Sequence, residues 1–182
     1  MKLSTVNLTV TLLLSALLAG AAGQKTIRAV LQRPAERKMA PAFRLLSASG
    51  EATGPSSYRG KVVLLDFWAT ECGGCRAEIP DFIEFAAAYK SKGLAVVGVS
   101  LDIMYENLKD AHEGWNRVKP FVREHGVNYP ILMGDGPVSK LYDIQAMPAT
   151  YLIDKQGRIA ATYTGIVDKN DVEANIKTLL RE

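Results

Sequence analysis

Cysteine and histidine are scarce in this sequence: two of each in 182 residues, Cys72 and Cys75, His112 and His125. So few thiols exclude a fold stapled together by disulfides. Two thiolates at this spacing are half of a zinc site, and the distant histidines lie in no motif that would complete it. An excess of charge of one sign is missing as well. Lysine and arginine number 22 against 19 acids, a formal net charge of +3, and no basic patch is interleaved with aromatics, which argues against a nucleic-acid partner. Internal repeats and low-complexity tracts are absent. What remains is an ordinary composition, 48% hydrophobic, in a chain long enough for one domain with a real hydrophobic core.

The stretch that organises the rest runs from Val62 to Pro80. Val62 to Ala69 is a nearly continuous apolar run, the pattern of a strand buried on both faces. A turn follows, and the two cysteines then stand at the start of a helical pattern with Ile79, Phe82, Ile83, Phe85, Ala86 and Tyr89 on one side. A disulfide between thiols three residues apart cannot tie distant parts of the chain together, but it can open and close as a two-electron switch. Only a thiolate attacks a disulfide efficiently. Cys72, at the helix start among unpaired backbone N–H groups, is the better placed to carry that charge, and Cys75, one turn further in, is the resolving thiol.

Three regions precede and contain this switch. Residues 1–23 read as a signal peptide, or alternatively an uncleaved N-terminal anchor: Lys2, an apolar run from Leu8 to Ala19, then Gly20 to Gly23. The apolar run is short for a membrane span of roughly 20 residues, and no cysteine at its end offers a lipid attachment point. Export would place the switch in an oxidising compartment. Residues 24–40, with Lys25, Arg28, Arg33, Arg37 and Lys38 against Glu36, read as a flexible basic linker. Residues 41–182 read as the folded domain. Within it the pattern predicts a short strand over 43–46 and strands over 62–69, 94–101, 129–133, 150–153 and 158–164. Helices are expected over 76–92, up to 125, and over 169–180. The strand–helix–strand unit should cross over right-handed, and the whole predicts an α/β fold with a central mixed sheet.

Asp66-Phe67-Trp68-Ala69 leading into Cys72-Gly73-Gly74-Cys75, Pro80 five residues on, and Met147-Pro148 just before a strand together resemble the thioredoxin superfamily. The extra N-terminal strands, the WAT-x-C and C-x-x-E elements, and an insertion after the second core strand look like its TlpA/ResA-like branch of exported thiol-disulfide oxidoreductases. The resemblance implies a thioredoxin-like fold over roughly residue 40 to the C-terminus. It implies no cofactor beyond the redox-active disulfide. It further implies a monomer that reduces disulfides in client proteins, apocytochrome c among them, and is re-reduced by a membrane electron-donor protein. Asp66 would relay a proton to or from Cys75, and Glu78 would lie near the thiols and share in proton transfer. Pro148 would be cis and set the backbone of Met147 beside Cys72, with Trp68 and Gly165 lining the same substrate groove. Glu71 stands where the family commonly has tryptophan, Gly74 where it has proline, and Ala149 where it has threonine.

Other readings stand beside these. Asp66 could be an exposed strand-end acid, although a carboxylate inside an apolar strand calls for a reason. Glu78 could serve only the helix dipole, Trp68 could be core, and Pro148 an ordinary trans proline. The 103–119 insertion, with Met104, Tyr105 and Trp115, is a partner-recognition surface or a surface elaboration. Peroxide reduction is the competing activity. Peroxiredoxins share the broader fold but carry a threonine three residues before the reactive cysteine, where this sequence has Ala69.

Overall fold

The computed structural model describes residues 25–182; the expected leader over 1–23 lies outside them. Strands β1 (Leu45–Leu46) and β2 (Ala52–Thr53) form a short antiparallel hairpin. The main sheet holds β3 (Val62–Trp68), β4 (Leu94–Ser100), β5 (Ile131–Met133), β6 (Ala149–Ile153) and β7 (Ile159–Thr164), in the order β5-β4-β3-β6-β7. The helices are α1 (Gly73–Tyr89), α2 (Asp102–Tyr105), α3 (Ala111–Glu124), α4 (Gly136–Leu141) and α5 (Lys169–Arg181).

An apolar strand interrupted only by Asp66 can avoid water only at the middle of a sheet covered on both sides. β3 takes that place, and every one of its residues is buried. It pairs in parallel with β4 through the α1 crossover and antiparallel with β6, so that Asp66 lies between Gly98 and Thr150. Alternation along the strand assigns the two faces. Val62, Leu64 and Trp68 pack under α1, α3 and α5 with Ile79, Phe82, Phe121, Val172 and Ile176. Val63, Leu65 and Phe67 face Val97, Val99, Val138 and Tyr142 on the other side. Asp66, in phase with Leu64 and Trp68, points towards α1.

Two helices differ from the sequence pattern. α1 starts at Gly73 rather than Arg76, because Cys72 caps it: its sulfur accepts the backbone N–H of Cys75. The irregular-looking insertion contains a regular helix, α3, whose N-terminus Asp110 caps by accepting the N–H of Glu113 at 3.0 Å. Gly114 and Pro120 obscure the periodicity of Trp115, Val118, Phe121 and Val122 in the sequence.

The flexible linker expected over 24–40 is corrected for residues 25–40, which form an ordered strap along the outer edge of the β7 hairpin. Gln32 donates its N–H to the carbonyl of Ala160, Ala40 donates to Gly157, and Ile159 donates to Lys38. Ile27 donates to Ile166 and accepts from Asp168. The basic residues that suggested a solvated segment are in part committed. The Arg37 side chain is 1% exposed and ion-pairs with Asp154 and Glu182. The strap thereby covers an edge strand that would otherwise present unpaired backbone groups.

Candidate active site

The apolar run of β3 ends where the chain must turn, and the turn is fixed by a buried acid just after the neighbouring strand. Asp102, fully buried, follows β4 and accepts the backbone N–H of Thr70 at 3.1 Å, its hydroxyl, and the hydroxyl of Ser100 at 2.7 Å. A buried carboxylate is tolerable only with its lone pairs occupied. Here two of the donors that occupy them belong to Thr70, two residues before Cys72. The sequence reading missed Thr70, Ser100 and Asp102; the available signal was an acid directly after an apolar strand.

From this turn the chain enters α1, with Cys72 as its cap. Cys72 and Cys75 are joined by a disulfide across the first turn. Of the two only Cys72 reaches the surface, at 5% exposure against 0% for Cys75. Once the bond is opened, a thiolate at Cys72 faces the unpaired N–H groups of the first helical turn and the positive end of the helix dipole. Incoming nucleophiles or client sulfurs reach Cys72 and not Cys75.

Two carboxyl groups are buried on the elements that flank the disulfide, Asp66 on β3 before it and Glu78 on α1 three residues after Cys75. Asp66 is fully buried; one oxygen accepts a long 3.5 Å bond from the Thr150 hydroxyl, and the other has no partner among the described residues. Glu78 is 1% exposed; one oxygen accepts the N–H of Val167 at 3.1 Å, and the other likewise has no partner among the described residues. Burial in apolar surroundings pushes both acids well above the ordinary carboxylate range, with the bond from Thr150 opposing the shift at Asp66. The negative field of Asp66 raises Glu78 further. Two acids that resist ionising are groups able to hold a proton near neutral pH. Neither is an exposed strand-end or helix-dipole acid.

The third side of the site is the loop before β6. The Met147–Pro148 peptide bond is cis, and Pro148 packs against α1 so closely that a Cβ on Gly74 would lie 3.1 Å from its Cδ and 3.2 Å from Ile166 Cγ1. The family's usual proline is thus replaced where this chain's own Ile166 and Pro148 leave little room. Gly165 donates its N–H to the Pro148 carbonyl at 2.9 Å with φ of 109°, a left-handed conformation that glycine accommodates. Met147 is half-buried, and among the described residues its backbone N–H and C=O make no backbone hydrogen bond.

Trp68 requires a correction. Placed in the groove by resemblance, it is fully buried, packs on Phe121 with ring centroids 5.2 Å apart and planes tilted by 40°, and lies over Gly98, where a Cβ would come within 2.9 Å of its Nε1. It belongs to the core under α1 and α3. Among the described residues no group of three or more histidine, cysteine or acidic side chains could hold a metal ion.

Comparison with known proteins agrees with this geometry. The sequence profile of the AhpC/TSA family matches residues 37–162. The chain is 33% identical over 141 residues to the thioredoxin-like protein YneN of Bacillus subtilis, covering 78% of each chain. It is 31% identical to the thiol-disulfide oxidoreductase ResA of Geobacillus kaustophilus, covering 77% of this chain and 75% of that one. Among solved structures, a Chlorobium tepidum protein described as a thiol:disulfide interchange protein DsbE superposes with a TM-score of 0.69 at 30% identity. That match covers 83% of this chain and 99% of the other. By these matches the chain belongs to the AhpC/TSA family and is a thiol-disulfide oxidoreductase of thioredoxin-like fold.

Proposed function

We propose that the protein is an exported reductant of disulfides in client proteins of the cell envelope. The observation that carries this reading is a disulfide of which only Cys72 reaches the surface, on elements that bury Asp66 and Glu78 and against the cis-proline loop, where the Met147 backbone makes no backbone hydrogen bond among the described residues. In the reduced form the Cys72 thiolate attacks a client disulfide. The client S–S bond breaks, a mixed disulfide forms, and the departing client sulfur takes up a proton. Cys75 then loses its proton and attacks the Cys72 sulfur, which releases the second client thiol and closes the Cys72–Cys75 bond. Two electrons have passed to the client. The ionised form of Asp66 or Glu78 takes the Cys75 proton, and the protonated form returns it. Met147 offers its free backbone edge to an extended client segment, with Pro148 and Gly165 fixing that edge against α1. A membrane electron donor restores the dithiol.

Export rests on the pattern of residues 1–23, and the client class, apocytochrome c awaiting haem among other oxidised envelope proteins, on resemblance. The protein acts as a monomer in this scheme. Insulin reduction by the pre-reduced protein tests it. Wild type should precipitate the insulin B chain, and Cys72→Ser should lose essentially all activity; an inert wild type, or a fully active Cys72→Ser, sinks the reading. Peroxide reduction is the competing activity. It lacks the expected threonine at position 69, and the Thr70 hydroxyl is already donated to Asp102. Rapid oxidation of Cys72 by micromolar peroxide in stopped flow would favour it instead.

A further inference from the structure

Between β7 and α5 the chain passes through Gly165, Ile166 and Val167, and each of the three meets a different part of the active site. Gly165 donates its N–H to the carbonyl of Pro148 at 2.9 Å. Ile166 lies where a Cβ on Gly74, between the cysteines, would stand 3.2 Å from its Cγ1. Val167 donates its N–H to Glu78 at 3.1 Å, the one hydrogen bond that the Glu78 carboxyl accepts among the described residues. The cis-proline loop, the first turn of α1 and the buried acid all lean on one short connection.

That connection lies outside helix and strand, and the N-terminal strap holds it. Ile27 donates its N–H to the Ile166 carbonyl at 2.6 Å and accepts the N–H of Asp168 at 2.8 Å, pairing in parallel with Val167 between them. The first of these bonds bears directly on Glu78. The Ile166 carbonyl and the Val167 N–H belong to one peptide unit, which is planar and points the two groups in opposite directions. Ile27 therefore grips one end of a rigid plate whose other end is aimed at the Glu78 carboxyl. Hydrogen bonds in such a series also polarise one another. The Ile27 side chain closes over the same connection, its Cγ1 3.2 Å from where a Cβ on Gly165 would stand. The register of the strap is fixed by its next residues, which are pinned to α5. Ala29 donates to Asp171 at 3.0 Å and accepts from Asn175 at 3.0 Å, and Arg28 pairs with Asp168 at 3.1 Å.

We infer that Ile27 is a positioning residue for thiol exchange: through the Ile166–Val167 peptide the strap aims the hydrogen bond that fixes Glu78, and so sets how readily that carboxylate takes the proton of Cys75. The inference rests on the proton-transfer reading of Glu78 above and adds the element that governs it. A hydrogen bond donated to a carboxylate favours its charged form, so the plate opposes what burial and like charge do at this site. Glu78 is faced by Asp66 from β3 and by Asp81 from its own helix, the latter paired with Lys169 of α5 at 2.9 Å, and its field reaches Tyr129 ahead of β5. Val167 is the group that works against these acids, and Ile27 is what holds it in place.

The test uses the full chain and two proline substitutions that each delete one strap N–H. Ile27→Pro removes the donor to Ile166; Gln32→Pro removes the donor to Ala160, a strap bond of the same kind on β7. In the oxidised protein, where the thiols are silent, the carbon-13 shift of the Glu78 carboxyl, assigned through Glu78→Gln, follows its titration. Ile27→Pro should raise the midpoint by about one pH unit, and Gln32→Pro should leave it in place. In the pre-reduced protein, stopped flow at saturating hydroxyethyl disulfide reads the first-order closing step, in which Cys75 loses its proton, attacks the Cys72 mixed disulfide and expels the small thiol. Below the midpoint a one-unit rise leaves about tenfold less ionised Glu78, so closure at pH 7 should slow about tenfold in Ile27→Pro and recover as pH rises. Gln32→Pro should close at the wild-type rate. An unmoved or lowered midpoint in Ile27→Pro overturns the proposal, as does a raised midpoint with wild-type closure, or an equal response in Gln32→Pro, which marks a general loosening of the strap. Should Ile27→Pro not fold, Ile27→Gly against Gln32→Gly makes the same comparison by stripping the side chain packed over Gly165. If Glu78→Gln closes at the wild-type rate, the proton-transfer reading falls and takes the proposal with it; that outcome is separate from one in which Glu78 matters and Ile27 does not.

Discussion

Asp66 and Glu78 each bury a carboxyl group against apolar neighbours with one oxygen unpartnered, which favours the neutral form. Their folded pKa values lie above the unfolded ones, so the native state holds protons that the unfolded chain has released. Their contribution to stability is complete below the ordinary carboxylate range and is lost as pH rises through the raised folded values. In the oxidised protein the thiols do not titrate, and this signal is separated from theirs. Urea unfolding of the oxidised chain from roughly pH 5 to pH 8 should show stability falling with pH. Asp66→Asn should remove up to about 1.4 kcal/mol per pH unit of that slope, the value for one proton. Identical slopes in wild type and variant would show that Asp66 is already ionised in the folded protein. A second residue acts through geometry. Thr70→Val keeps the backbone bond to Asp102 but removes the hydroxyl donor, and should cost about 1–2 kcal/mol of stability, read from the urea midpoint; no change would mean that Asp102 is satisfied by Ser100 and the Thr70 N–H alone.

Among the elements, the N-terminal strap departs most from its sequence pattern. Its central anchor is Arg37, whose side chain is as buried as that of Asp154, its partner. Asp154 itself closes the β6–β7 hairpin, accepting the N–H groups of Gln156 and Arg158 and the guanidinium of Arg158. Removing one partner from a buried ion pair leaves the other charge desolvated and only partly compensated. Arg37→Met should therefore destabilise by about 2–4 kcal/mol. Arg33, 82% exposed in its pair with Glu36, is the contrast: Arg33→Met should leave the denaturation midpoint essentially unchanged. Denaturation curves of the two variants check both statements, and equal effects would mean that the strap is not held by Arg37. The strap also runs past the site: Ile27 bridges Val167, whose N–H is the donor to Glu78.

At the scale of the molecule, the disulfide is a reacting group and not a staple. It closes a ring of four residues in a chain whose core spans both faces of a five-stranded sheet. In the chain-entropy account a ring of that size contributes about 2 kcal/mol. Reduction should lower the unfolding free energy by no more than about that amount and leave the protein folded. Urea titrations with and without dithiothreitol, followed by circular dichroism, measure it. Unfolding on reduction alone would contradict a catalytic cycle in which the dithiol form must recognise its clients.

The sequence determined the parts of this protein that are written in local spacing. The run from Val62 to Ala69 had to be a buried strand, and the cysteines three residues apart had to face each other across one helical turn; Asp66, readable also as an exposed strand-end acid, is buried with that strand. The mixed sheet, the crossover helix and the switch at their junction follow from those patterns. The tertiary structure decided what depends on partners far along the chain. Arg37 meets Asp154 across 117 positions, and Thr70 meets Asp102 across 32. A charged or polar residue read along the chain looks solvated, because its sequence neighbours say nothing about a counter-charge delivered by another strand. Trp68 went the other way: an aromatic beside an active cysteine looks like a groove wall until strand alternation and α3 enclose it. Periodicity is a property of a segment, and pairing is a property of the sheet order that brings segments together.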